Sequence, residues 1–247
     1  MSEIVQEGNN NIVLVIGESD AGKSTSLRNL PEQEGVYYLS CEANKKPPFK
    51  NKFQCASVTD PEDIFDYFDA AEEDDECHTI IIDTLTFLMD QYESLYVVDS
   101  KNTQQAWGAY AQFFKSLIQD YAARSTKNII ILAHVADVID NATGDSKTIV
   151  KVKGSIMNNG VESYFNNIVL ARKVSTDVLK GVENDYLNIT EKEKRLKSKY
   201  VFQTDKTKDT LQYRNRFPID MWDDSELFID NDICHVLERL IEFYEED

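Results

Sequence analysis

One stretch constrains this chain more than any other: Gly17-Glu18-Ser19-Asp20-Ala21-Gly22-Lys23-Ser24. It fits G-x-x-x-x-G-K-[ST], a pattern that carries a mechanism only where a strand runs into it and a helix leads out. Both flanks comply. Residues 11–16 (NIVLVI) read as a buried strand, and residues 24–30 as the start of a helix. Gly17 and Gly22 let the backbone curl so that successive N–H groups and the helix N-terminus face an anion. Lys23 then reaches the β- and γ-phosphates, and the Ser24 hydroxyl holds Mg²⁺ between them. A glycine turn with a solvated lysine would leave the Lys-Ser pair at the helix start without a purpose. The expected nucleotide contacts are Gly17, Glu18, Ser19, Asp20, Ala21, Gly22, Lys23, Ser24 and Thr25, with ATP and Mg²⁺ as the ligands.

Three later strands end in a polar side chain. Residues 36–41 form an apolar run that ends at Glu42, and a carboxylate at the carboxyl end of a strand lies beside the ligand crevice of an open α/β sheet. Residues 79–82 (TIII) end in Asp83, the form in which a strand buried on both faces presents a carboxylate to the Mg²⁺ water shell. Many core strands end in aspartate, so it is the preceding phosphate loop that gives Asp83 this meaning. Residues 128–133 end at His134, which on its own reads equally well as a satisfied core histidine or as a sensor.

The remaining pattern alternates strands with helices. A short edge strand is expected at 53–58. A helix opens at Asp60-Pro61-Glu62, and helices follow at 84–96 and 104–123, the last carrying an aromatic stripe that reads as core. Residues 135–152 alternate around a turn-rich centre at 141–145 and predict a projecting hairpin. A loop to 163 leads into a fifth strand at 167–173. Residues 191–199 read as a charged connector, 200–203 as an antiparallel strand, 206–216 as a basic segment and 232–245 as an amphipathic helix. The fold class is therefore α/β: a mostly parallel central sheet flanked by helices, with antiparallel strands added late in the chain. One domain is expected over 1–247, with its core at about 10–218 and an acidic helix and tail at 220–247.

The net charge of −18 speaks against nucleic acid, whose affinity comes largely from phosphate neutralisation. Its distribution weakens the objection. Residues 60–76 hold ten acids and no base, and 220–247 hold eleven acids against Arg239, so the rest of the chain is slightly basic. Both blocks read most simply as a solubilising face and a solvated tail. Cys41, Cys55, Cys77 and Cys234 lack metal-ligand spacing and are expected reduced and mostly buried. No apolar run suits a bilayer span, and the first residues lack signal-peptide character, so a cytoplasmic location and no membrane partner are expected.

The order of phosphate loop, Glu42, Asp83 and His134 resembles a RecA-type ATPase core. In particular it is similar to the minimal RecA-like ATPases of bacteriophages that are grouped with single-strand-annealing recombination proteins. The resemblance covers roughly residues 10–218. It implies that Glu42 is the general base and that His134 is a sensor between the γ-phosphate and a DNA-binding loop at 135–163. It also implies that Arg214 or Arg216 supplies charge to a neighbour's γ-phosphate, which makes Glu42, Lys23, His134 and Arg216 the catalytic set and Ser24 with Asp83 the metal set. The implied partners are a second copy of the chain in a ring or filament, single-stranded DNA, and other recombination or replication proteins in the host cytoplasm. The sequence departs from AAA+ enzymes in placing Thr84, and no glutamate, after Asp83. Its candidate DNA loop is only modestly basic, with Lys147, Lys151 and Lys153 against Asp137, Asp140 and Asp145.

Two other functions stay open on the sequence. A small-molecule or nucleotide kinase would use the same loop, although the sparse arginines offer no obvious lid. An ATP-dependent assembly factor would bind protein through the acidic blocks and no DNA.

Overall fold

The computed structural model describes residues 8–43, 45–139, 144 and 146–245. In chain order its elements are β1 (Ile12–Gly17), β2 (Val36–Ser40), β3 (Gln54–Ser57), α1 (Ile64–Glu73), β4 (Thr79–Asp83), α2 (Leu85–Tyr92), α3 (Thr103–Ser116), β5 (Asn128–Ile139), β6 (Ser146–Val150), α4 (Gly154–Asn159), β7 (Asn167–Ser175), α5 (Glu191–Leu196), β8 (Ser198–Gln203), β9 (Phe228–Asp230) and α6 (Ile233–Glu245). The sheet runs in the order β3-β2-β4-β5-β1-β7-β8-β9, with β6 paired to the outer half of β5. From β3 to β7 the neighbours are parallel, and β8 and β9 add antiparallel strands at one edge. This is the mixed α/β architecture expected from the alternation of strands and helices.

The central strands are apolar on both sides because each side feeds a different core. Along β1, Leu14 and Ile16 enter one cluster while Val13 and Val15 enter the other; in β4 and β5, Ile80, Ile82, Ile129 and Ile131 oppose Ile81, Ile130 and Leu132 in the same way. That is the two-residue period of a strand buried on both faces. Helices α1, α2 and α3 cover the first face, and the aromatic stripe of α3 lies there, with Tyr110 and Phe114 almost fully buried. Helix α6 covers the second face through Ile233, Val236, Leu237 and Leu240.

Several expectations are corrected. The helix expected at 24–30 is a single 3-10 turn, Ser24–Leu27. Ser-Thr-Ser is a weak helix former, and Pro31 bars continuation, so few aligned peptides stand behind the phosphate loop. Strand β5 does not stop at His134 but continues to Ile139 as one arm of the hairpin with β6. Apart from Gly144, the expected turn at 141–145 lies outside the described residues. The expected loop to 163 contains α4 and a 3-10 turn, and the charged connector contains α5, whose capping box joins Thr190 and Glu193. The amphipathic helix expected at 232–245 is α6, but the acidic terminal block is no solvated tail: β9 extends the sheet, and α6 turns Glu238 and Glu242 outward while its apolar stripe joins the core.

Candidate functional site

Parallel pairing sets the site. Because β1, β5, β4 and β2 run side by side in one direction, the carboxyl ends of β1, β4 and β2 bring the phosphate loop, Asp83 and Glu42 to one rim, which β5 crosses at His134. Strand β5 lies between β1 and β4, and the register places His134 directly beside Gly17. The rim encloses a cavity of about 220 Å³, lined by loop residues 19–25 and by Glu42, Lys45, Asp83, Thr84, His134 and Tyr200.

The loop has the conformation its glycines permit. Gly22 sits at φ +92°, and a Cβ there would meet the Tyr200 ring at 2.9 Å; at Gly17 a Cβ would meet the Ala171 carbonyl at 2.7 Å. Asp20 also has positive φ, 60°, and its carboxylate accepts from the Tyr200 hydroxyl at 3.1 Å. Lys23 is 6% exposed and donates to the carbonyls of Gly17 (2.9 Å) and Glu18 (2.8 Å) and to Nδ1 of His134 (3.1 Å). Burial lowers its pKa to about 8, against the pull of Asp83 and Glu42.

Ser24 donates its hydroxyl to Oδ2 of Asp83 at 2.8 Å, and Tyr38, projecting from β2, donates to the same oxygen at 2.5 Å. The other oxygen, Oδ1, is buried and has no hydrogen-bond partner among the described residues. Burial pushes the Asp83 carboxyl up, and the Tyr38 and Ser24 hydroxyls only partly offset this. A serine hydroxyl beside a carboxylate with an orphaned oxygen is a hard-oxygen set that fits Mg²⁺, so Ser24 and Asp83 would hold the ion or its waters. Bound there, the ion would neutralise charge developing on phosphate oxygens. Thr84 caps α2 by accepting from the Phe87 amide, the local reason a threonine suits this position.

Glu42 is held from two sides. Its Oε1 lies 3.4 Å from Nε2 of His134, and its Oε2 pairs with the Lys45 ammonium. The His134 hydrogen bond first, and then Lys45, bring the Glu42 carboxyl down to about 2 against the opposing effect of burial. The structure thus gathers Lys23, Ser24, Asp83, Glu42 and His134 in one cavity. Arg214 and Arg216 do not line it. The Arg216 guanidinium donates to the main-chain carbonyls of Phe165, Glu162 and Ser163, and Arg214 lies 3.7 Å from the buried Glu162 carboxylate. Tyr38, Lys45 and Tyr200 are site residues that the sequence motifs do not name. A tyrosine inside an otherwise apolar strand, needing a partner for its hydroxyl, was the available signal for Tyr38.

A strand running into a glycine loop, with Lys23 and Ser24 set against a strand-end aspartate, defines the P-loop nucleotide-binding class. Within that class the chain belongs to the AAA domain family (AAA_24), whose profile matches residues 9–199, and its core is that of a P-loop ATPase. Comparison with curated proteins gives no significant match.

Proposed function

We propose that the chain is a Mg²⁺-dependent ATPase acting on single-stranded DNA in phage-type recombination, annealing or repair, as a homo-oligomer whose form responds to nucleotide. One observation carries the reading. The β5–β6 hairpin leaves the cavity directly from His134, and its return arm is tied there by the Lys151 amide donating to the His134 carbonyl at 2.8 Å. A change at His134 on γ-phosphate binding therefore reaches the hairpin through one residue of strand, as the RecA-like resemblance implies.

In this reading Lys23 exchanges the Gly17 and Glu18 carbonyls for phosphate oxygens, leaving His134 free to meet the γ-phosphate. Glu42, released from His134, accepts a proton from the attacking water as that water's oxygen bonds the γ-phosphorus and the bond to the bridging oxygen of ADP breaks. A neighbouring subunit would add positive charge from Arg216, which needs that side chain to leave its present carbonyl partners.

Steady-state ATP turnover, measured with and without single-stranded DNA over a salt series and with light scattering in ATP and Mg²⁺, tests the reading. DNA-stimulated turnover by an oligomer is the expected result. Phosphorylation of a small acceptor would favour a kinase, and a monomer indifferent to DNA would favour a protein-assembly factor.

A further inference from the structure

Behind the phosphate loop the chain makes a single 3-10 turn, Ser24–Leu27, and the junction between β9 and α6 holds that turn in place. The Asn231 carbonyl accepts from the Arg28 guanidinium at 2.9 Å, and the same nitrogen donates to the Thr25 carbonyl at 3.2 Å. One oxygen of Asp232 accepts from the Asn29 side-chain amide, while the other accepts from the Cys234 main-chain amide at 3.1 Å in the first turn of α6. The contacts of Arg28 and Asn29 each span 203 residues. The Asn231 side chain goes further and reaches the loop itself. A Cβ on Gly22 would stand 3.0 Å from its Oδ1, and the residue is 3% exposed. Neither Oδ1 nor Nδ2 has a hydrogen-bond partner among the described residues. A buried amide without partners costs free energy that an apolar side chain of the same branched shape does not, so packing alone gives no reason for an asparagine here.

We propose that Asn231 is a positioning residue of the phosphate loop, whose amide stands unpaired behind Gly22 and takes backbone partners from the loop when phosphate binds. The proposal rests on nucleotide binding at the loop and is independent of the DNA reading. A loop that turns its N–H groups toward an anion turns the carbonyls of the same peptides away from it. The Asn231 amide brings two donor hydrogens and one acceptor oxygen to Gly22. Asn231 is not among the residues that line the nucleotide cavity, so it meets the loop and not the nucleotide. In the free chain the orphaned amide raises the energy of the unliganded state. In the bound chain it is paired, and because a ligand shifts an equilibrium by its differential interaction with two states, that difference appears as affinity. The contacts of Asn231 and Asp232 with Arg28 and Asn29 hold the following turn still, so that the adjustment falls on the loop.

The test is titration of a fluorescent ATP analogue with Mg²⁺, beside thermal melts without nucleotide, on the intact chain and the Asn231→Leu and Asn231→Ala variants. Asn231→Leu keeps the branched shape and removes both polar atoms. It is expected to leave the midpoint of the free chain unchanged or raised, and to weaken binding of the analogue at least about tenfold. Asn231→Ala removes the amide without crowding Gly22 and is expected to lose affinity to the same extent, although the space it leaves lowers its midpoint. A residue that served packing alone would lower the midpoint and leave the affinity as it was, and that result overturns the proposal. Loss of affinity by Asn231→Leu but not by Asn231→Ala overturns it as well, because the leucine would then act by pressing on Gly22. If the intact chain binds the analogue and both variants match it, the role of Asn231 falls and the nucleotide reading stands. If the intact chain fails to bind, both fall.

Discussion

The Lys23 ammonium donates to Nδ1 of His134 at 3.1 Å, and this single contact assigns the histidine's tautomer. An ammonium has no lone pair to offer, so Nδ1 must accept, and the ring proton sits on Nε2, which faces Glu42 at 3.4 Å. His134 thus joins the phosphate-binding lysine to the candidate base in one line.

Lys23→Ala is expected to abolish nucleotide binding and leave the fold intact. The ammonium is buried, but its hydrogen-bond partners are two loop carbonyls and a histidine nitrogen beside the cavity, and none is an apolar core side chain. Binding of a fluorescent ATP analogue, beside a thermal melt, checks this. Normal turnover by a folded Lys23→Ala chain would sink the phosphate-loop reading.

Asp83→Asn should reduce Mg²⁺-dependent turnover far more than metal-free ADP binding. The amide keeps an oxygen for Ser24 and Tyr38 but loses the charge a divalent cation requires. Calorimetric titration of ADP with and without Mg²⁺ separates the two effects. Equal losses in both titrations would remove Asp83 from the metal set.

Glu42→Gln should bind ATP and turn it over roughly a hundredfold to ten-thousandfold more slowly, the range a positioned base contributes. The same variant reports on stability. With its pKa lowered from 4.5 to about 2, Glu42 stabilises the folded state fully above 4.5, and that contribution is lost as pH falls toward 2. Chemical unfolding should therefore show the variant less stable than the parent near neutrality, with the gap closing below pH 4.5. A gap that widened on acidification would mean that the contacts with His134 and Lys45 do not hold the carboxylate.

How much of this was legible follows from locality. The phosphate loop, Glu42 and Asp83 could be read because each lies at or just beyond the end of a parallel strand, and His134 because the apolar run of β5 stops there although the strand continues, so that one parallel sheet brings all four to one rim. The contacts of Tyr38 with Asp83 and of Tyr213 with Glu18 span 45 and 195 residues, and no periodicity encodes which distant tyrosine arrives. The short turn after the loop was misread because the helix-start signal at Lys23-Ser24 is local, whereas termination depends on Pro31 and on packing against α6. The helix at 232–245 was legible from its apolar spacing, but the acidic block around it was read as a solvated tail for a related reason. Composition counts the outward acids of α6, while its burial is decided by an apolar stripe that needs the sheet face as a partner.

Tyr200 props the phosphate loop, although no motif names it. Its ring lies against Gly22, its hydroxyl reaches Asp20, and the Lys173 ammonium stands 4.9 Å from the ring centre, so one side chain of β8 braces two loop residues that hold positive φ. Backbone held in that region costs about 1–3 kcal/mol per residue and persists only where the surroundings enforce it. Tyr200→Ala removes the brace and is expected to weaken ATP binding about tenfold, corresponding to about 1.4 kcal/mol. Tyr200→Phe keeps the ring against Gly22, loses only the Asp20 contact, and should bind nearly as the parent does. Gly22→Ala drives a methyl into the ring at 2.9 Å and into Asn231 Oδ1 at 3.0 Å from a backbone that disfavours alanine, so it should lose both nucleotide binding and several degrees of thermal midpoint. Parallel titrations and melts of the three variants check the order. Tyr200→Ala binding ATP as tightly as Tyr200→Phe would show that the loop holds its shape without the ring.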